Sequence, residues 1–208
     1  MFLDEKIAEL QKSSYLRKKY AENVDEEETE QPDKYEIILS QEEITKAVND
    51  GKLDLNTETY IFEKKSFLNE KVKVFIIRDF FDIYEEDDNI VYFIKNDGFN
   101  ILIKNDSFSD EFKNLESLMK YLTSYCKENE IYMEFIKTEE ESVGNQKRYI
   151  VSSRMPTRVG YIFQYTYYIC CRDEIISITL SCLDEQRNKW EKIMTAIASL
   201  IEIKEGEL

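Results

Sequence analysis

The stretch that decides the fold is VGYIFQYTYYICCRDEIISITLSCLDEQRNKWEKIMTAIASLI, residues 159 to 201. Two apolar-rich runs, Val159 to Cys171 and Glu174 to Cys182, flank Arg172 and Asp173, a polar pair that reads as a turn. Centring the turn there sets Ile169 opposite Ile176, Tyr167 opposite Ile178, Tyr165 opposite Leu180 and Phe163 opposite Cys182. The alternate positions pair Tyr168 with Ser177, Thr166 with Thr179 and Gln164 with Ser181. A one-residue slip would mix the two sets, so their separation into an apolar and a hydroxyl-rich face specifies the register. Asp184 then opens a helix with Trp190, Ile193, Met194, Ile197, Leu200 and Ile201 on one stripe, suited to cover the apolar face.

Moving toward the N-terminus, strands are predicted near Arg148 to Ser153 and Ile131 to Thr138, joined by a polar loop with Gly144 and Asn145. A helix starts near Asn114 with Leu115, Leu118, Met119, Leu122 and Cys126 on one stripe. Before it lie strands at Phe99 to Ile103, Asn89 to Ile94, Val72 to Arg78 and Thr59 to Lys64, with a tight turn at Asn96, Asp97 and Gly98. Ser40, Gln41, Glu42 and Glu43 fit a capping box that starts a helix ending near Gly51. The acidic run DEEETEQPDK, residues 25 to 34, reads as a solvated linker after a thin amphipathic helix with Leu3, Ile7 and Leu10. The expected organisation is an N-terminal helix and linker, 1–34, and one domain, 35–208.

This order of elements, with the closing stretch ISITLSCLDEQRNKWEKIMTAIASLIEI and its Trp190, resembles the PsbP-like superfamily over about residues 59 to 203. That group includes the photosystem subunit PsbP, Ran-binding Mog-type proteins, and bacterial DcrB-like and effector-associated chaperone proteins. The resemblance implies an α+β fold, an α/β/α sandwich around a central antiparallel sheet, and binding or assembly work in place of catalysis. It transfers no catalytic residue; Trp190 matches as a packing residue. The N-terminal helix, the acidic linker and the capped helix depart from the pattern.

The chain is 208 residues long with a formal net charge of −15 and 12 Phe and 14 Tyr. Such a chain can bury roughly 70% of its unfolded surface without disulfides or metal. Acidity of this degree argues against general nucleic-acid binding. The longest apolar runs fall far short of a membrane span, so a cytoplasmic protein is expected. Without histidine, the commonest general base and zinc ligand is missing, and Cys126, Cys170, Cys171 and Cys182 lack CxxC spacing. No cofactor or metal is expected, and the chain reads as a non-enzyme. The acidic groups Glu85 to Asp88 and Glu139 to Glu141 are assigned to solvated turns.

One asymmetry points to an interaction surface. From Ser142 to Arg172 the chain runs 31 residues without a carboxylate, and it carries Lys147, Arg148, Arg154, Arg158 and Arg172 there. A positive patch on a negative body orients an approaching partner. The expected partner-binding set is therefore Lys147, Arg148, Arg154 and Arg158 with the polar hairpin face, Gln164, Thr166, Tyr168, Ser177, Thr179 and Ser181, Tyr168 being the tyrosine of its stripe expected at the surface. The expected role is that of a module for a protein partner, such as an adaptor or a chaperone or neutralising partner. The rival readings are a small-ligand or hydrolytic domain with a pocket between sheet and helices, and a subunit that self-associates through its N-terminal helix.

Overall fold

Ser40 and Glu43 close the capping box that the sequence predicts: Glu43 Oε2 accepts from the Ser40 backbone N–H at 2.8 Å, and Ser40 Oγ accepts from the Glu43 N–H at 3.3 Å. The computed structural model describes residues 39–204 except 97, 110, 111, 144, 145, 159, 172 and 173. The expected N-terminal unit, the Gly144–Asn145 loop and the Arg172–Asp173 turn lie outside the described residues.

The capped helix is α1, Gln41–Asn49. Then follow β1 (Lys52–Leu55), β2 (Glu58–Phe67), β3 (Val72–Ile77), β4 (Ile83–Asp87), β5 (Ile90–Ile94) and β6 (Asn100–Ser107). Helix α2 (Leu115–Glu128) precedes β7 (Glu134–Val143), β8 (Gln146–Thr157), β9 (Gly160–Cys170) and β10 (Glu174–Leu183), and a 3₁₀ turn, Asp184–Gln186, leads into α3 (Arg187–Ser199) and β11 (Glu202–Ile203). The fold is α+β, but its strands form two antiparallel sheets where one was expected: β1-β2-β3-β11 and β4-β5-β6-β10-β9-β8-β7.

The β9–β10 register is the one read from the sequence, from Ile169 opposite Ile176 through Phe163 opposite Cys182. Its apolar face turns inward, where Phe163, Tyr167, Ile169, Ile176, Ile178 and Leu180 share one core with α1, α3 and the four-stranded sheet. Trp190 is the centre of that core. Its ring stacks on Phe99 at 4.8 Å and 8°, and Tyr60 and Phe80 each lie 5.6 Å from it. Its indole N–H donates to Gln186 Oε1 at 3.2 Å, so the polar end of the buried ring is satisfied. Helix α2 lies on the opposite face, with Leu118 over Tyr149 and Val151.

Three strands escape the sequence reading. β1 and β11 are too short to show a period, and β4 holds Glu85, Glu86 and Asp87, which had been assigned to a turn. β7 likewise contains Glu139, Glu140 and Glu141. Both acidic segments are outermost strands of the large sheet, where carboxylates stay in water and discourage pairing with another chain.

Replacing Trp190 with Ala is expected to cost about 3–5 kcal/mol in urea unfolding, and replacing it with Phe clearly less. Asp82 supplies a pH prediction. Its carboxylate accepts from Lys95 Nζ at 2.8 Å and from the Asn96 N–H at 2.9 Å, and these bonds hold its pKa below the ordinary 3.8. A depressed folded-state pKa gives stability that is complete above the unfolded value and is lost as pH falls through the folded one. Acid unfolding followed below pH 3.8 should be shallower in Asp82→Asn than in wild type.

Candidate functional site

The outer face of the seven-stranded sheet is built in rows. One row runs Tyr92, Leu102, Thr179, Thr166, Val151 and the next runs Asn100, Ser181, Gln164, Ser153. The structure thus brings Gln164, Thr166, Tyr168, Ser177, Thr179 and Ser181 onto one surface, as the alternation of β9 and β10 requires. Thr166 is buried and its hydroxyl pairs with that of Thr179 at 3.1 Å, while Gln164, Ser177 and Ser181 are half-buried.

Tyr168 is not the exposed ring that was expected. It is half-buried beside α2, its ring 6.1 Å from Phe112, because α2 lays its apolar stripe over this end of the face. From there an aromatic chain climbs to solvent: Phe112 to Tyr121 at 5.9 Å and Tyr121 to Tyr125 at 6.2 Å. Tyr121 and Tyr125 are each more than a third exposed, and Tyr132 and Ile136 just beyond α2 are more so. Sequence reasoning gave α2 only its buried stripe. The signal that was present is the i, i+4 spacing of Tyr121 and Tyr125 beside that stripe.

Lys147, opposite Cys170, stands at the far end of this face, but Arg148 and Arg154, opposite Ile169 and Phe163, belong to the inner one. Lys147 and Arg148 begin β8 and Arg158 follows its end, so they stand roughly 35 Å apart along an extended strand. Three of them are matched by the carboxylates of β7 and its surroundings. Lys147 lies 3.8 Å from Glu140 and Arg148 3.8 Å from Glu141, while Arg154 holds Glu134 at 2.8 Å and Asp184 at 3.3 Å. Arg154 also covers the Tyr161 ring at 4.6 Å. Arg158, at the hairpin end, is exposed. The acid-free segment is a feature of the chain order: antiparallel pairing places the acid-rich β7 directly against it.

Arg148 is unusual in its burial. It is 6% exposed, its Nε has no hydrogen-bond partner, and Glu141 is too distant for a hydrogen bond. Among the described residues, Glu43, Asp54, Glu58, Asp82, Glu174 and Glu202 have their pKa displaced downward. Hydrogen bonds do this at Asp54 (from Lys52), Asp82 (Lys95), Glu174 (Lys71) and Glu202 (Lys64), and at Glu58 the bonds from Lys189 and Tyr60 outweigh desolvation. Burial pushes all four thiols upward, Cys170 to about 11, which keeps them protonated. Among the described residues no set of Asp, Glu or Cys is placed to hold a metal ion, and no helix is long and apolar enough to cross a membrane. The recess lined by Leu68, Asn69 and Glu86 to Asp88 is an open surface depression away from the hydroxyl rows.

No protein-family model matches the chain, and no curated protein does. Among solved structures, cyanobacterial PsbP from Synechocystis is similar at a TM-score of 0.55 and 14% identity, covering 69% of this chain and 92% of that one. This likeness supports the PsbP-like fold. The PA94 protein of Pseudomonas aeruginosa, a protein of unknown function described as a regulator, is similar at 0.47 and 9%, covering 69% and 97% of the two chains. LpqN of Mycobacterium tuberculosis, involved in cell envelope biogenesis, is similar at 0.41 and 10%, covering 72% and 86%.

A buried guanidinium so poorly paired contributes little to stability. Arg148→Met, which keeps the volume and removes the charge, is expected to leave the urea midpoint unchanged or raise it. Glu141→Gln should lower it, and a thermal or urea unfolding series on both variants checks the pair of signs.

Proposed function

We propose that this chain is a protein-binding module without catalytic chemistry of its own, an adaptor or a chaperone-like or neutralising partner for another protein. One observation carries the reading. Of the six large hydrophobic side chains that stand exposed among the described residues, Tyr121, Tyr125, Tyr132 and Ile136 belong to the segment from α2 to β7, and Tyr84 and Tyr161 lie elsewhere. Exposed apolar side chains gathered in one place mark interaction surfaces, and tyrosine is among the residue types enriched at their centres. The Phe112–Tyr121–Tyr125 chain stands beside the hydroxyl rows of β9 and β10, so a partner meets an aromatic wall and a floor that can hydrogen-bond.

The absence of histidine from the sequence and the downward displacement of the shifted carboxylates both favour binding over acid–base catalysis. Four free thiols suit a reducing compartment, which supports a cytoplasmic role.

The test is quantitative co-purification from the native source, followed by affinity measurement on the protein recovered. Tyr121→Ser combined with Tyr125→Ser should weaken capture by roughly 30-fold or more, the consequence of losing one hot-spot residue of about 2 kcal/mol. Arg158→Glu should change it little. Equal capture by wild type and a folded double-tyrosine variant would reject the aromatic wall as the binding surface.

A further inference from the structure

The edges of the two sheets are unequal. Among the described residues β1 has four residues, β11 two and β4 five, whereas β7, the remaining edge, has ten. Shortness is one of the ways proteins shield unpaired backbone from other chains, and β7 lacks it. Its sequence, EFIKTEEESV, holds no proline or glycine, and its one bulge lies between Phe135 and Lys137. From Lys137 to Val143 it pairs with β8 residue for residue, so alternate N–H and C=O groups along that stretch point away from the sheet.

Side chains decide what such an edge can take. β7 holds four glutamates, Glu134, Glu139, Glu140 and Glu141, against one lysine, Lys137. Glu140 and Glu141 meet Lys147 and Arg148 only at 3.8 Å, beyond hydrogen-bond reach, so their oxygens keep the capacity to accept from a further donor. A second copy of the chain is disfavoured. Two β7 edges laid antiparallel about Glu140 would set Glu139 against Glu141, and the β4 edge would bring Glu85, Glu86 and Asp87. Like charges directly opposite destabilise a strand pair, and opposite charges stabilise it.

We infer that the β7 edge is a strand-addition site for an extended, basic segment of a protein partner, which carries Lys or Arg at alternate positions and joins the seven-stranded sheet as an eighth strand. The register with β8 gives the pattern. Glu139 and Glu141 stand opposite Ile150 and Arg148 on the inner side, and Thr138 and Glu140 stand opposite Val151 and Tyr149 on the side covered by α2. Cations at alternate positions of an added strand therefore reach Glu139 and Glu141 together, while the residues between them turn to the α2 side. Main-chain hydrogen bonds supply the affinity of such a contact, and the alternate side chains supply its selectivity. Ile136, the bulge residue without a partner in β8, and Tyr132 stand exposed at the start of the same strand, so the edge adjoins the exposed apolar segment that begins at α2. The inference rests on the reading of the chain as a protein-binding module, and it names the chemistry of the segment bound.

The experiment is a titration of the full-length chain with a capped nine-residue peptide that alternates Lys and Val, followed by amide hydrogen exchange read residue by residue. Saturable binding is expected, with exchange at the outward amides of Lys137 to Val143 slowed about tenfold or more. Affinity should fall about fivefold or more in the Glu139→Gln, Glu141→Gln double variant, and a Glu–Val counterpart of the peptide should not bind. Absence of binding, binding that leaves the β7 amides unprotected, or equal binding of the Glu–Val peptide would overturn the inference. Co-purification reads the module without this peptide, so the edge and the protein-binding reading fail on different results: a native partner captured while the peptide is ignored removes the edge alone.

Discussion

Strand β10 is the constraint on which the rest depends. On one side it is hydrogen-bonded to β9, its neighbour in sequence, and on the other to β6, from the first half of the chain. Ile178 sits opposite both Tyr167 and Ile103, so one side chain fixes the inward direction for three strands at once. If β10 shifted by one residue, Ser177, Thr179 and Ser181 would enter the core without partners and Ile176, Ile178 and Leu180 would meet water. Each buried hydroxyl left unpaired would cost about 1–3 kcal/mol. The α3 helix then only has to cover a surface already made apolar, and Trp190 completes it by stacking on Phe99, the residue just before β6.

Where an element carried a physical period, the sequence disclosed it. The β9–β10 register and the Ser40 cap follow from local chemistry, and so does the α2 start, where Asn114 Oδ1 accepts from the Ser117 N–H at 2.8 Å. The acidic strands did not disclose themselves. Glu and Asp disfavour strands on average, but an outermost strand gains from carrying them, and edge position is a property of the whole sheet. The division into two sheets was equally hidden, since no single segment states which strand it will neighbour.

Half of the candidate surface was legible. The six residues of the polar hairpin face share one side because strand alternation is local, whereas the four cations were grouped by sequence proximity that a fully extended strand undoes. Their compensation by Glu134, Glu140, Glu141 and Asp184 depends on a strand placed beside them by folding. The aromatic wall was missed for the opposite reason. Tyr121 and Tyr125 flank a buried stripe, and a helical pattern does not say whether its border faces solvent or sheet.

Both lateral boundaries of the large sheet are strands rich in carboxylates, β4 at one and β7 at the other. Negative charge therefore stands where the hydrogen-bonding ladder stops, and it acts as a terminator of sheet growth.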